Sequence, residues 1–243
     1  MKAKKPARIK TTEERLLDTA ERLFARQGIR ATSLREITEQ TRINIAAVNY
    51  HFRTKKALVR SVIERSFKPL NEERLRRLDE IEAAAGDGPP SIEAILGALF
   101  LPMLRSWKKN RNFVLLSGRL QNEPDADLHK FIIRLYAEVI ERFQAATMRA
   151  LPETPGPDLF FWMHYLFGGM IHTLLSIEDL ERLPGRHSML EDTDRFLAEL
   201  VSFGAAGLRA IQKSAPLVPS PRPPKSGNDK PADVRRRTRE AGV

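Results

Sequence analysis

The run Asn44-Ile45-Ala46-Ala47-Val48-Asn49-Tyr50 can do hydrogen-bond chemistry but no covalent chemistry. Wound as a helix, it turns Ala47 and Val48 inward and leaves Asn44, Ile45, Ala46, Asn49 and Tyr50 to solvent. An asparagine amide can pair with both hydrogen-bonding groups of an adenine edge, and a small apolar side chain can touch a thymine methyl. Around this run stand groups suited to phosphate: the hydroxyls of Thr32 and Ser33 at a helix start, then Arg42, Tyr50, His51, Lys55 and Lys56. The expected chemistry is reading of base edges from the major groove of double-stranded DNA, with phosphate contacts setting register.

The residues of an enzyme are not apparent. The sequence holds no Gly-rich phosphate loop, no nucleophile elbow and no His-Glu-x-x-His pair. Cysteine is absent, so neither thiol chemistry nor disulfides are available. His164 and His172 lie eight apart with no acidic partner at ligand spacing, and read as packed or interface histidines. No catalysis, metal or cofactor is expected. A protein that coats DNA without a ligand remains a rival reading, but it would not need an apolar body of about 150 residues.

The distribution of charge supports a polyanion-binding end on a separate body. The formal net charge is +10; residues 1–56 carry 14 Lys/Arg against 6 Asp/Glu, and residues 213–243 carry 8 against 3. The remaining middle holds 19 against 22 and is slightly acidic. No signal core follows the basic start, and no run is expected to reach the roughly 18–20 apolar residues that a membrane span needs, so a cytoplasmic location without membrane contact is expected.

Positioning the reading run requires helices on both sides of it. Thr11 and Glu14 have the spacing of a capping box, Leu16, Leu17, Ala20, Leu23 and Phe24 recur at helical spacing, and Gly28 stops the helix. A second helix starts at Thr32 or Ser33 with Leu34 and Ile37 inward, and a third covers about 44–50. Three short helices with a break of three or four residues fit a helix-turn-helix. A long helix from about Thr54 contains Pro69, and another from Ser91 contains Pro102, so both should bend. Further helices are expected over 113–122, 125–150, 158–182 and 189–212, with a break at Pro184-Gly185.

At these residues the chain resembles the TetR family of regulators. The likeness is strong over 11–58, through the first-helix Leu-Phe and Gly, the Thr-Ser opening of the second helix, and Tyr50-His51-Phe52 followed by Lys55. The commoner family pattern, Leu-Tyr-His-Tyr-Phe, is replaced by Val48-Asn49-Tyr50-His51-Phe52, which moves a tyrosine to position 50. The apolar body helices are similar, more weakly, to a PsrA-like branch associated with acyl-chain metabolism. The resemblance implies an all-α fold, with a three-helix helix-turn-helix domain on a helical ligand-binding and dimerisation domain. It implies a homodimer on a pseudo-palindromic operator, repression by default, and release by a small apolar effector, with an acyl chain or its thioester as a candidate.

The domains expected are a basic arm (1–10), the DNA-binding domain (11–57), the effector and dimerisation domain (58–212) and a disordered basic, Pro-rich tail (213–243). The arm's Lys2, Lys4, Lys5, Arg8 and Lys10 are placed to reach a minor groove. Arg235, Arg236, Arg237 and Arg239 either add phosphate attraction or are simply solvated. In the body, Phe100, Met103, Leu104, Trp107, Leu116, Leu120, Phe131, Leu135, Trp162 and Leu166 either line an apolar pocket or form plain core. Arg119 and Arg134 either neutralise an acidic ligand head or serve as surface ion-pair partners. Aromatic and small residues of the last two helices, Phe161, Tyr165, Gly168, Gly169, Phe196, Phe203 and Gly204, are the expected dimer surface.

Overall fold

Each helix starts where a side chain can satisfy the first exposed amides. The structure, a computed structural model, describes residues 10–154, 156–182 and 192–212. Helix α1 (Thr12–Gln27) opens on the expected capping box: the Thr11 hydroxyl accepts from the Glu14 amide at 3.2 Å, and the Thr11 amide donates to the Glu14 carboxylate at 2.8 Å. It ends at Gly28, whose φ of 91° suits glycine and whose amide donates to the Phe24 carbonyl. Ser33 caps α2 (Leu34–Thr41), and Asn44 caps α3 (Ile45–Phe52). Arg42, in the left-handed region with φ 54°, makes the turn between α2 and α3.

Thr54 caps α4 (Lys55–Ala85), a 31-residue helix that contains Pro69. Pro69 has no amide to offer the Arg65 carbonyl, so one helical bond is missing there. Helix α5 (Ile92–Lys109) starts at Ser91 and contains Pro102. Asn110 ends α5 and caps α6 (Arg111–Gln121). Asp125 caps α7 (Ala126–Ala150) through the amides of Asp127 and Leu128. Helices α8 (Gly156–Glu181) and α9 (Thr193–Gln212) complete the described chain, which contains no strand. The arm residues 1–9, the Pro184-Gly185 break and the tail from Lys213 lie outside the described residues.

The helices up to Gln212 form one compact unit. In the head, Leu16, Ala20, Phe24, Ile37, Val48, Leu58 and Val62 are buried together, which fixes α3 against α1, α2 and the start of α4. Full burial of such a side chain is worth about 1.5–3 kcal/mol. In the body, α5 lies centrally, in contact with α4, α6, α7 and α9. Because α4 begins in the head and runs on beneath α5 and α7, the boundary expected after residue 57 falls inside a continuous helix.

Head and body are tied by polar groups as well as by core. Glu21 is buried, and its carboxylate accepts from Arg65 Nη2 and Ser66 Oγ, both at 3.0 Å, and from the Asn110 amide. Arg65 also holds Asp18 at 2.8 Å. Arg30 pairs with Glu123 at 3.2 Å and Lys56 with Asp127 at 2.7 Å.

Candidate nucleic-acid interface

Helix α3 is anchored by two side chains and exposes most of the rest. Val48 is fully buried and Phe52 nearly so, whereas Ala46, Asn49 and His51 are exposed, Ile45 is 44% exposed and Tyr50 83% exposed. Ala47 is half-buried, in keeping with the inward position expected of it. Asn44 has a structural duty: its side-chain carbonyl caps the Ala46 amide at 3.0 Å, which commits its oxygen and not its amide group. Asn49 is exposed on the same helix without such a capping bond. The Tyr50 and His51 rings meet edge to face at 5.2 Å, and His51 Nδ1 lies 4.0 Å from the Glu13 carboxylate.

The groups expected to meet phosphate differ in their exposure and partners. Thr32 is 1% exposed and donates its hydroxyl to the Gly28 carbonyl at 2.8 Å, so it closes the α1–α2 turn and does not face solvent. Ser33 is exposed: its oxygen accepts from the Glu36 amide while its proton stays available beside the first amides of α2. Lys55 donates to the Arg30 carbonyl at 3.3 Å, and burial pushes its pKa down against the opposing pull of Glu123. Lys56 is held by Asp127, whose carboxyl is kept below its ordinary range first by that hydrogen bond. Both lysines thus line a cleft of about 280 Å³ between the α4 start and the α7 start, with Ile29, Val59, Glu123 and Leu128. Arg42 is exposed as expected. Arg53, not singled out from the sequence, is also exposed, and with φ 61° it forms the turn that ends α3. Its signal was its place one residue beyond the end of α3. Of the basic arm only Lys10 is described, and it pairs with Asp18 at 2.6 Å.

The body residues read as either pocket lining or plain core are mostly buried. Phe100, Met103, Leu104 and Leu116 are essentially inaccessible, Trp107 and Leu120 nearly so, and Phe131, Leu135 and Leu166 are half-buried. Trp162 is 37% exposed, with its ring edge-on to Tyr165, so it belongs to the surface. None of these residues lines either the lysine cleft or a second one of about 300 Å³ between Glu21, Arg65, Lys109 and Phe113. Arg119 has another job: its guanidinium donates to the carbonyls of Ala25 and Arg26, at 2.7 Å for Ala25, and so caps the negative end of α1. Arg134 is exposed.

Sequence reasoning passed over Arg74, which is 1% exposed in the body core. Its Nε donates to the Leu99 carbonyl at 2.9 Å and its Nη1 to the Asn71 side chain at 3.2 Å, while Nη2 is buried with no partner. The rings of Tyr136 and Phe167 lie 5.8 and 5.7 Å from the guanidinium carbon. Burial pulls the Arg74 pKa down, offset in part by the Tyr136 phenol, whose own pKa burial pushes up. The sequence signal was phase: Arg74 follows Phe67 by seven residues and precedes Leu78 by four, on a buried stripe of α4.

The expected dimer residues divide in two. Phe161 is 54% exposed, Tyr165 59% and Phe203 76%, and open space surrounds Gly168 and Gly169. Phe196 and Gly204 are instead buried within the chain. A Cβ on Gly204 would come within 2.9 Å of Leu166 and 3.1 Å of Leu96, so this glycine serves close approach of α9 to its own neighbours. The stretch Leu159–Leu180 is long and apolar enough to cross a membrane, contrary to the reading of the sequence, and only 22% of it is buried in the single chain. Its open face includes Phe161 and Tyr165. His164 stacks on Phe160 there, and among the described residues no three metal-ligating side chains come together.

Comparison with known proteins agrees with this architecture. Residues 16–62 match the model described as bacterial regulatory proteins, tetR family, and residues 93–207 match that of the tetracyclin repressor-like C-terminal domain. A curated relative, the uncharacterized HTH-type transcriptional regulator YerO of Bacillus subtilis (strain 168), is 29% identical over 105 residues, 43% of this chain. The match spans 34% of that relative's length. Among solved structures, the ketosteroid transcriptional regulator KstR2 of Mycobacterium tuberculosis aligns with a TM-score of 0.57 at 16% identity, over 81% of this chain and 96% of that one. The fatty acid degradation regulator FadR of Bacillus halodurans aligns with a TM-score of 0.58 at 12% identity, over 83% and 99%. A TetR-family regulator from Bordetella parapertussis 12822 gives 0.58 at 16% identity, over 81% and 95%. With a helix-turn-helix head matching one family model and a helical body matching the other, the chain belongs to the TetR family of bacterial transcriptional regulators.

Proposed function

We propose that this chain is a ligand-released repressor that binds a pseudo-palindromic operator as a homodimer. The observation that carries the reading is the outer face of α3, where Ala46, Asn49 and Tyr50 stand exposed around a helix pinned by buried Val48 and Phe52. In this reading Asn49, Tyr50, Ala46 and Ile45 meet the bases, with the Asn44 amide at the edge. Ser33, Arg42, His51 and Arg53 meet phosphates. Lys55 and Lys56 contribute positive field and clamp head to body. The activity is binding, without a catalytic step, and its place is the cytoplasm, with the DNA.

Functionally the chain divides as its sequence suggests, into a reading head through residue 57 and a sensing and pairing body from 58 to 212. The exposed faces of α8 and α9 pair with those of a second copy, which sets the separation of the two α3 helices. A small apolar effector, of which an acyl chain or its thioester is the favoured class, enters the body beside α4. A solved neighbour, FadR of Bacillus halodurans, is a fatty acid degradation regulator, which supports the fold's capacity for such a role. Helix α4 and the Arg119 cap on α1 carry a change in the body to the head. The effector then favours a head separation that no longer matches two half-sites.

The test is selection of bound sequences from a random duplex pool with the purified chain at near-physiological salt. An enriched palindrome is expected. Binding without enrichment would replace this reading with that of a protein that coats DNA.

A further inference from the structure

We infer that Arg74 receives the anionic head of the effector, which is an amphipathic carboxylate with an apolar tail. The inference rests on the ligand-released reading above and names the ligand's chemistry. Arginine stays charged in proteins, and a buried charge without a counter-ion is costly unless something compensates it. The Arg74 guanidinium meets neutral groups, the Leu99 carbonyl, the Asn71 side chain and the Tyr136 phenol, and no carboxylate pairs with it among the described residues, while its Nη2 has no hydrogen-bond partner. Acidic groups of α4 are engaged elsewhere: Glu73 by Arg76 and Arg77, Asp79 by Arg142, Glu82 by Arg142 and Arg149.

The surroundings suit such a ligand. Tyr136 and Phe167 cover the guanidinium, and both rings are themselves only partly buried, so the way to Arg74 runs between α7 and α8. Met163 and Leu166 on α8, with Ile132 and Leu135 on α7, are half-buried along that seam and offer apolar surface to a chain. The Leu99 carbonyl that holds Nε lies one residue after the Ala98 carbonyl, which Pro102 leaves without its helical bond. A carboxylate on Nη2 would supply the missing counter-charge, and ordering of this node would reach α4 directly.

The experiment is calorimetric titration of the full chain with decanoate and with decanol, which share a tail and differ in head charge. The wild type is expected to bind decanoate at least about tenfold more tightly, the effect of one charged hydrogen bond. Arg74→Met and Arg74→Gln are expected to bind the two ligands alike, with decanol affinity unchanged. The control is Arg60→Met, which removes a guanidinium stacked 5.5 Å from Phe131 about four turns away and should keep the preference. Equal wild-type binding of both ligands would overturn the role of Arg74 and leave an apolar effector standing. Binding of neither would overturn the acyl reading and this inference with it. A preference kept by the Arg74 variants, or lost in Arg60→Met, would move the head elsewhere. The wild-type comparison decides the matter even where a variant does not fold.

Discussion

Asn49 is the side chain whose type and position most favour base reading, because it is exposed on α3 and has no capping duty of the kind that occupies Asn44. Asn49→Ala should weaken operator binding by about 1–3 kcal/mol and leave binding to random duplex unchanged, measured by titration on a selected operator and a scrambled copy. An equal loss on both would make Asn49 a register contact. Asp18 allows a second prediction at this scale. Burial raises its pKa, but the hydrogen bonds from Lys10 and Arg65 outweigh this and hold it below the ordinary value. A carboxyl depressed in the folded state stabilises above its unfolded pKa, near 4, and loses that contribution as pH falls through the folded value. The wild type should therefore exceed Asp18→Asn in stability at pH 7, by under about 1 kcal/mol since Asp18 is over a third exposed. Urea unfolding should show this gap closing below pH 4; a gap constant down to pH 3 would assign the effect to something other than charge.

Between elements, the contacts of long polar side chains were the part least legible in the sequence. Periodicity gave the helices of the head and their inward faces, since capping residues and apolar spacing are local properties. It could not give the partners of Thr32, Lys55, Lys56 or Arg119, because each reaches a carbonyl or carboxylate on a segment set beside it only by the fold. Arg119 shows the consequence. Read from the sequence it was a candidate for a ligand's acid, yet it caps the end of α1 from α6 and thereby couples head to body. Arg119→Met should cost about 1–2 kcal/mol in urea unfolding, since the charged donor serves carbonyls at a partly open site. Effector affinity in the same variant should be unchanged. A fall in affinity with no loss of stability would restore Arg119 to the ligand site.

For the molecule as a whole, the apolar face of α8 and α9 is the surface that the single chain leaves uncovered. Phe161, Tyr165 and Phe203 stand open to water beside Gly168 and Gly169, which have space for another backbone to approach. The sequence marked this region by composition but could not separate Phe196 and Gly204, used inside the chain, from residues left outside, because both sets share one small-and-aromatic pattern. If a second copy covers the face, a charge placed at its centre must be buried unpaired in the dimer, while it remains solvated in the monomer. Aromatic residues at such centres commonly contribute about 2 kcal/mol or more each. The double variant Phe161→Glu/Phe203→Glu should thus weaken dimerisation by about a thousandfold and sediment as a monomer at micromolar concentration. Its helix content should match the wild type, since both positions are exposed in the single chain. It should also bind an isolated half-site as the wild type does but lose the advantage of the full palindrome, because that advantage comes from the fixed spacing of two heads. A variant that still sediments as a dimer would place the pairing surface away from α8 and α9, and the open apolar face of α8 would then need a different partner.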